Sequence, residues 1–212
     1  MDLKKYNKIV KEGYEKVYGN IIKDKEHCVE KDENSGVSIE VLFELLNDFL
    51  LTIPKNCYIL DAGCGNGRIS KILVDRGFKV TGIDISANAV MLANQNIPNA
   101  EFKVMNMAKI TLSSDKFDAI FSSFAAIHVK RELHKKVFEG FYRVLRSGGK
   151  VFMSIGPDSG EYFGNYCGYQ MAWSHWCPKT TQELLTDVGF QVSTNERIEM
   201  GSETHNWVLA EK

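Results

Sequence analysis

Apolar and aromatic residues at Tyr6, Ile9, Val10, Tyr14, Val17 and Tyr18 recur near a 3.6-residue period, which predicts a helix from Leu3 to Tyr18. A polar stretch, Lys23 to Gly36, follows and reads as a loop. Ser38 opens a second helix, apolar at Val41, Leu42, Leu45, Leu46 and Phe49, which must end before Pro54. From Cys57 the pattern becomes short apolar runs alternating with amphipathic segments. CYILDAG, KVTGIDI, EFKVM, FDAIFSS and KVFMSI read as five strands. Between them lie helices over Gly67–Arg76, Ser86–Gln95 and Leu133–Leu145, with Ser86 a good N-cap and Gly77 placed as a C-terminal stop. Strand–helix alternation of this kind argues for a parallel sheet covered on both faces.

Gly156 to Pro178 breaks the alternation. It holds Tyr162, Phe163, Tyr166, Tyr169, Trp173 and Trp176, too many aromatic residues for a solvated linker. A helix from Thr181 to Asp187 follows. QVSTNERIEM and THNWVLAEK then read as two strands joined by a short antiparallel link at Gly201-Ser202-Glu203.

The chemistry concentrates in ILDAGCGNG, Ile59 to Gly67. Glycines at 63, 65 and 67 follow a buried strand and open a helix, so backbone can approach a ligand there or take positive φ. In an open α/β sheet this turn lies at the carboxyl ends of the strands, where ligands bind. A second acid, Asp84, ends the next strand, where a carboxylate can accept hydrogen bonds from ribose hydroxyls. These features point to an adenosine-containing ligand. The glycines are two apart throughout and follow Asp61, whereas a dinucleotide turn spaces them GxGxxG and leaves the helix N-terminus open for pyrophosphate. A carboxylate at Asp61 repels phosphate and suits a ligand carrying an ammonium and a sulfonium. No GKS or GKT is present for a nucleotide-triphosphate loop.

Composition narrows the classes further. The chain has 212 residues, 44% hydrophobic and 25% charged, values of an ordinary globular domain. Its formal charge of -1 argues against a strongly basic nucleic-acid binder or a polybasic membrane anchor. No apolar run reaches the roughly 18 residues of a membrane span, and no secretory signal is read at the start, so a cytoplasmic location is expected. Five widely spaced cysteines, Cys28, Cys57, Cys64, Cys167 and Cys177, read as reduced thiols. Cys167, His175 and Cys177 fit no zinc spacing, so no metal is expected.

The ordered motifs resemble the class I S-adenosylmethionine-dependent methyltransferases. DAGCGNG at Asp61–Gly67, GIDIS at Gly82–Ser86, VMNM at Val104–Met107, FDAIFSSFAAIHV at Phe117–Val129 and RVLRSGGKVFMSI at Arg143–Ile155 are similar to five successive segments of that family. The resemblance implies an α/β fold. It would have a Rossmann-like seven-stranded, mostly parallel sheet, an antiparallel C-terminal hairpin and helices on both faces. One domain over 1–212 would divide into an N-terminal helical cover (1–54), a cofactor-binding core (55–156), an aromatic substrate-side insert (157–179) and a terminal helix and hairpin (180–212). S-adenosyl-L-methionine would be the cofactor, and methyl transfer to an N, O or C nucleophile of a small molecule the reaction. An RNA or tRNA methyltransferase, or a non-catalytic cofactor-binding subunit, are the alternatives.

Residue by residue, the resemblance implies that Asp61 holds the methionine ammonium while Gly63 and Gly65 let backbone pass under the cofactor. Asp84 would bind the ribose, and Ile85, Asn106 and Met107 would surround adenine. The Ser122 backbone would face the methionine moiety and Arg68 its carboxylate. Cys64 reads as a small filler of the same turn. Tyr14, with Tyr18, either closes over the cofactor or simply packs a helix face. His128 is open between a general base, a substrate contact and a helix cap. Tyr162, Tyr169, Trp173 and Trp176 are expected to wall the acceptor.

Overall fold

A computed structural model describes residues 2–24 and 37–212 of the chain. The elements run α1 (Leu3–Asp24), α2 (Ile39–Leu51), β1 (Tyr58–Ala62), α3 (Arg68–Asp75), β2 (Lys79–Asp84), α4 (Ala87–Asn96), β3 (Glu101–Val104) and β4 (Phe117–Ser122). They continue with α5 (His134–Val144), β5 (Leu145–Ile155), β6 (Gly160–Tyr166), β7 (Tyr169–His175), α6 (Pro178–Val188), β8 (Gln191–Met200) and β9 (Glu203–Glu211).

Seven strands form one sheet in the order β3-β2-β1-β4-β5-β9-β8. β1 through β5 pair parallel, and β9 pairs antiparallel to both β5 and β8. The period of two along each strand divides the core. Ile59, Ala119 and Phe121 pack with Leu42, Leu46 and Leu73 on the face covered by α2 and α3. Leu60 and Ile120 pack with Phe138, Phe141 and Leu185 on the face covered by α5 and α6. The caps follow their sequence signals. Ser38 and Ser86 accept from the backbone of Val41 and Ala89 as N-caps of α2 and α4, and Gly77, at φ +86°, follows α3.

The first helix runs six residues beyond the predicted end at Tyr18, because Ile21 extends its buried stripe. The rest of the predicted Lys23–Gly36 loop lies, from residue 25, outside the described residues. The aromatic segment is not irregular: β6 and β7 form a separate antiparallel hairpin, in register from Gly160↔His175 to Tyr166↔Tyr169. Its buried residues Met171 and Ala172 pack with Tyr6 and Val10 of α1. The reading of five reduced thiols fails at Cys167, which is disulfide-bonded. Cys57, Cys64 and Cys177 are free, and Cys28 lies outside the described residues. Sequence spacing does not reveal which thiols meet through space. Among the described residues no helix is long and apolar enough to cross a membrane.

Candidate functional site

The carboxyl ends of β1, β2, β3 and β4 and the start of β9 open on one cavity of ≈ 260 Å³, roofed by α1 and the β6–β7 hairpin. The turn after β1 supplies its floor. Gly63 and Cys64 both donate to the Ile83 carbonyl, Gly65 donates to Asp84 Oδ2 at 2.9 Å, and Gly67 donates to the Cys64 carbonyl. The amides of Gly63, Cys64, Gly65 and Gly67 are therefore spent inside the protein and not turned to a phosphate.

What fills the space beside each glycine is protein. A Cβ on Gly63 would lie 2.2 Å from Ala125 Cβ, one on Gly65 2.4 Å from the Tyr18 hydroxyl, and one on Gly67 2.6 Å from Ile97 Cδ1. All three residues have positive φ. These positions demand glycine because the loop after β4, the first helix and the end of α4 close down on the turn.

Two acids dominate the electrostatics. Asp61 is buried and accepts from Ser70 Oγ at 2.6 Å. Burial pushes its carboxyl up to about 7 against that bond, with help from the charge of Asp84. Asp84 accepts from Gly65 N and Ser86 N, and burial still raises it. Two carboxylates short of solvent, with backbone donors already used, are poised to receive a cation and hydroxyl donors.

Asn106 caps a short 3-10 turn over Met107–Lys109, its Oδ1 accepting from Ala108 N at 2.8 Å. Phe124, just past β4, sits in the left-handed region at φ +53° and donates its N–H to Ser154 Oγ at 2.6 Å. This strained residue aims its ring edge-on at His205, with centroids 4.8 Å apart. His128 commits Nδ1 to the Ala172 carbonyl at 2.8 Å, which fixes Nδ1 as the donor and leaves the lone pair on Nε2. Burial pulls its imidazole down to about 4, so the ring is neutral near pH 7.

Tyr14, Asp61, Gly63, Cys64, Gly65, Arg68, Asp84, Ile85, Asn106, Met107, His128 and Trp173 all line the cavity. Four expected residues do not. Ser122 is fully buried and donates to the Ala62 carbonyl at 2.8 Å, so Ser123 and Phe124 reach the cavity in its place. Tyr162 is half-exposed and stacks on its cross-strand partner Trp173 at 5.4 Å. Tyr169, at the hairpin turn, accepts from Asn20 Nδ2. Trp176 donates to the Arg131 carbonyl and lies under the Arg131 guanidinium. Tyr162, Tyr166, Tyr169 and Trp173 share one face of the hairpin, so position along it decides which of them reaches the cavity. Tyr166 and Trp173 face the cavity from it. Residues missed altogether are Asn7 and Val10 on α1 and Glu203 and His205 at the start of β9. The first two were legible as one stripe of α1, whereas the β9 pair carried no sequence signal.

A sequence profile described as a methyltransferase domain matches residues 59–149. The Bacillus subtilis protein YqeM is 26% identical over 168 residues, covering 73% of this chain and 68% of its own. A malonyl-[acyl-carrier protein] O-methyltransferase of Enterobacter lignolyticus is 35% identical over 102 residues, 48% of this chain and 40% of its own length. The chain thus spans about two thirds of the first relative's length and well under half of the second's. Among solved structures, the Burkholderia thailandensis 1,6-didemethyltoxoflavin-N1-methyltransferase, with 1,6-didemethyltoxoflavin and S-adenosylhomocysteine bound, superposes with a TM-score of 0.75 at 16% identity. That likeness, which is one of fold, covers 100% of this chain and 91% of that one.

Residues 59–149 match a methyltransferase domain, and the fold and these relatives support a class I S-adenosylmethionine-dependent methyltransferase with S-adenosylmethionine as cofactor. The site fits such a molecule on its own terms. Buried Asp61 and Asp84 match an ammonium and ribose hydroxyls, and the spent amides of Gly63, Cys64, Gly65 and Gly67 are not turned to a pyrophosphate.

Proposed function

We propose that this chain transfers a methyl group to a small molecule held at the aromatic end of the cavity. The observation that carries this reading is a shared chamber. The acid-and-glycine turn (Asp61, Gly65, Asp84) and the aromatic side chains Tyr14, Tyr166 and Trp173 line one continuous space. In this reading Asp61 and Asp84 hold the ammonium and the ribose, and Ile85, Asn106 and Met107 enclose the adenine. Residues 55–156 form the cofactor-binding core, with α1 and the hairpin as its cover.

The cofactor supplies a methyl group already activated on a sulfonium, so the chain's own contribution is alignment and exclusion of water. Tyr14 and Tyr18, both buried with hydroxyls raised well above the ordinary tyrosine range by desolvation, stay neutral and keep water from the floor. His128 Nε2, as a lone-pair acceptor on a neutral ring, orients an X–H group of the acceptor and does not remove its proton. The RNA alternative finds no support at the acceptor end, where the lining includes Glu203 and no lysine or arginine.

Calorimetry tests the reading. S-adenosylhomocysteine should bind with roughly 1:1 stoichiometry and NAD should not. Trp173→Ala should leave that affinity within about twofold, because the cofactor end lies on other strands. Tight NAD binding with no response to S-adenosylhomocysteine would retire it.

A further inference from the structure

Beyond the residues assigned to the cofactor, the cavity has one carboxylate, Glu203, at the tip of the β8–β9 hairpin. Its Oε2 accepts from His205 Nε2 at 2.9 Å. His205 is buried and touches Phe124 edge-on. With Nε2–H given to Glu203, its Nδ1 is a buried atom without a donor. The charged group this wall brings to the cavity is therefore a carboxylate. In the same cavity, Tyr14 meets His128 edge-on at 5.3 Å and Tyr166 at 6.1 Å, while His128 meets Trp173 at 5.3 Å. Aromatic rings and a carboxylate lining one cavity make an environment that favours an organic cation.

Resting on the methyl-transfer reading above, we propose that the acceptor is an organic amine with a flat apolar body, methylated on nitrogen. Glu203 and the box of Tyr14, Tyr166 and Trp173 hold its nitrogen, and His205 positions Glu203. The charge balance of the reaction agrees. The bound ammonium first passes a proton through Glu203 to solvent, and the neutral amine then puts its lone pair into the new C–N bond as the C–S bond breaks. The positive charge leaves sulfur and appears on nitrogen, and the product is an ammonium with its protons retained. An oxygen or carbon acceptor that gives up its proton ends uncharged and has no use for a carboxylate at this wall. The same wall disfavours acceptors bearing carboxylate or phosphate.

The test uses two probes sharing one ring and differing in charge, tryptamine and indole-3-propionate, titrated calorimetrically into the full chain with and without saturating S-adenosylhomocysteine. Tryptamine should bind about tenfold or more tighter than the acid. In Glu203→Gln, which alters an exposed hairpin tip, that preference should collapse while S-adenosylhomocysteine affinity and the melting curve stay as in the parent. Equal affinity for the two probes, no tryptamine binding up to about 10 mM, or a preference that survives Glu203→Gln overturns the amine assignment. Failure of S-adenosylhomocysteine itself to bind overturns the methyl-transfer reading instead, and the probe comparison without it still decides whether Glu203 selects for charge.

Discussion

Glu15 and Asn88 hold each other twice: Asn88 N donates to Glu15 Oε2 at 3.1 Å, and Asn88 Nδ2 donates to the Glu15 carbonyl at 2.8 Å. The same carboxylate accepts from Ala87 N at 2.8 Å and Ser86 Oγ at 3.0 Å. A side chain from α1 thus caps the first turn of α4 beside Asp84. The favourable interaction of an anion with free amides at a helix N-terminus fastens the roof to the floor. In sequence, Glu15 is one charge on a helix with many.

Glu15→Ala should therefore act on both stability and binding. The amides of Ala87 and Asn88 lose their acceptor, at a cost of about 1–2 kcal/mol. Urea unfolding should show that loss. S-adenosylhomocysteine affinity should fall with it, because Tyr14 and Tyr18 are carried on the same helix. A stability loss with unchanged affinity would mean that α1 does not cover the cofactor.

Asp61 sets the pH dependence of cofactor binding. Its carboxyl titrates at about 7 in the ligand-free chain, raised chiefly by burial, and an ammonium partner favours the ionised form. Binding below pH 7 must then release a proton, and affinity should fall by up to about tenfold per pH unit from 7 down. Calorimetry at pH 6 in two buffers of different ionisation heat measures the proton directly. A raised carboxyl also costs the empty fold stability above the unfolded value near 3.8, and this cost grows as pH rises to about 7. Asp61→Asn, which can still accept from Ser70, should raise the melting temperature of the ligand-free chain at pH 7.5 while abolishing S-adenosylhomocysteine binding.

At Gly65 the sequence leads one to expect that an added side chain would enter the ligand's space. The structure puts Tyr18 there. Gly65→Ala should cost roughly 1–2 kcal/mol for the left-handed backbone, plus the clash with the hydroxyl. Tyr18→Phe in the same chain should recover part of the clash and none of the backbone cost. A double-mutant cycle by chemical denaturation reads this coupling, and strictly additive effects would remove Tyr18 from above the turn.

Much of this architecture was legible because it is written in short-range signals. The acid-and-glycine turn, the cap at Ser86 and the strand–helix alternation each lie within a few residues, and the sheet assembles from them. Ser122 was misread by one position, since which of two adjacent serines faces the cavity depends on where β4 ends. Trp173 and Trp176 look equivalent in sequence, but Trp173 lies within β7 and reaches the cavity, whereas Trp176 lies past the end of that strand under Arg131. Glu15, Glu203 and His205 were invisible for a different reason. Their roles come from contacts between segments far apart in the chain, and a polar residue carries no periodic signal of its partner.

The last prediction concerns acid. His134 opens α5 fully buried, its Nε2 donating to the Val129 carbonyl at 3.0 Å and its Nδ1 without a partner. Burial pulls its imidazole down to about 4, with His175 adding repulsion and the backbone acceptors opposing. His128 titrates at about 4 for the same leading reason. The unfolded chain binds protons at both sites below the ordinary value of 6.5, whereas the native chain does not until about 4. The stability these rings contribute is thus present above pH 6.5 and is lost as pH falls through the window from 6.5 to 4. The loss per ring is roughly 1.4 kcal/mol per pH unit. His134→Gln retains a donor for Val129 and removes one titration. Urea midpoints measured from pH 7 to 4.5 should fall steeply in the parent and less steeply in this variant, by about one proton's worth of slope. An unchanged slope would mean that His134 is already solvated or protonated in the native chain.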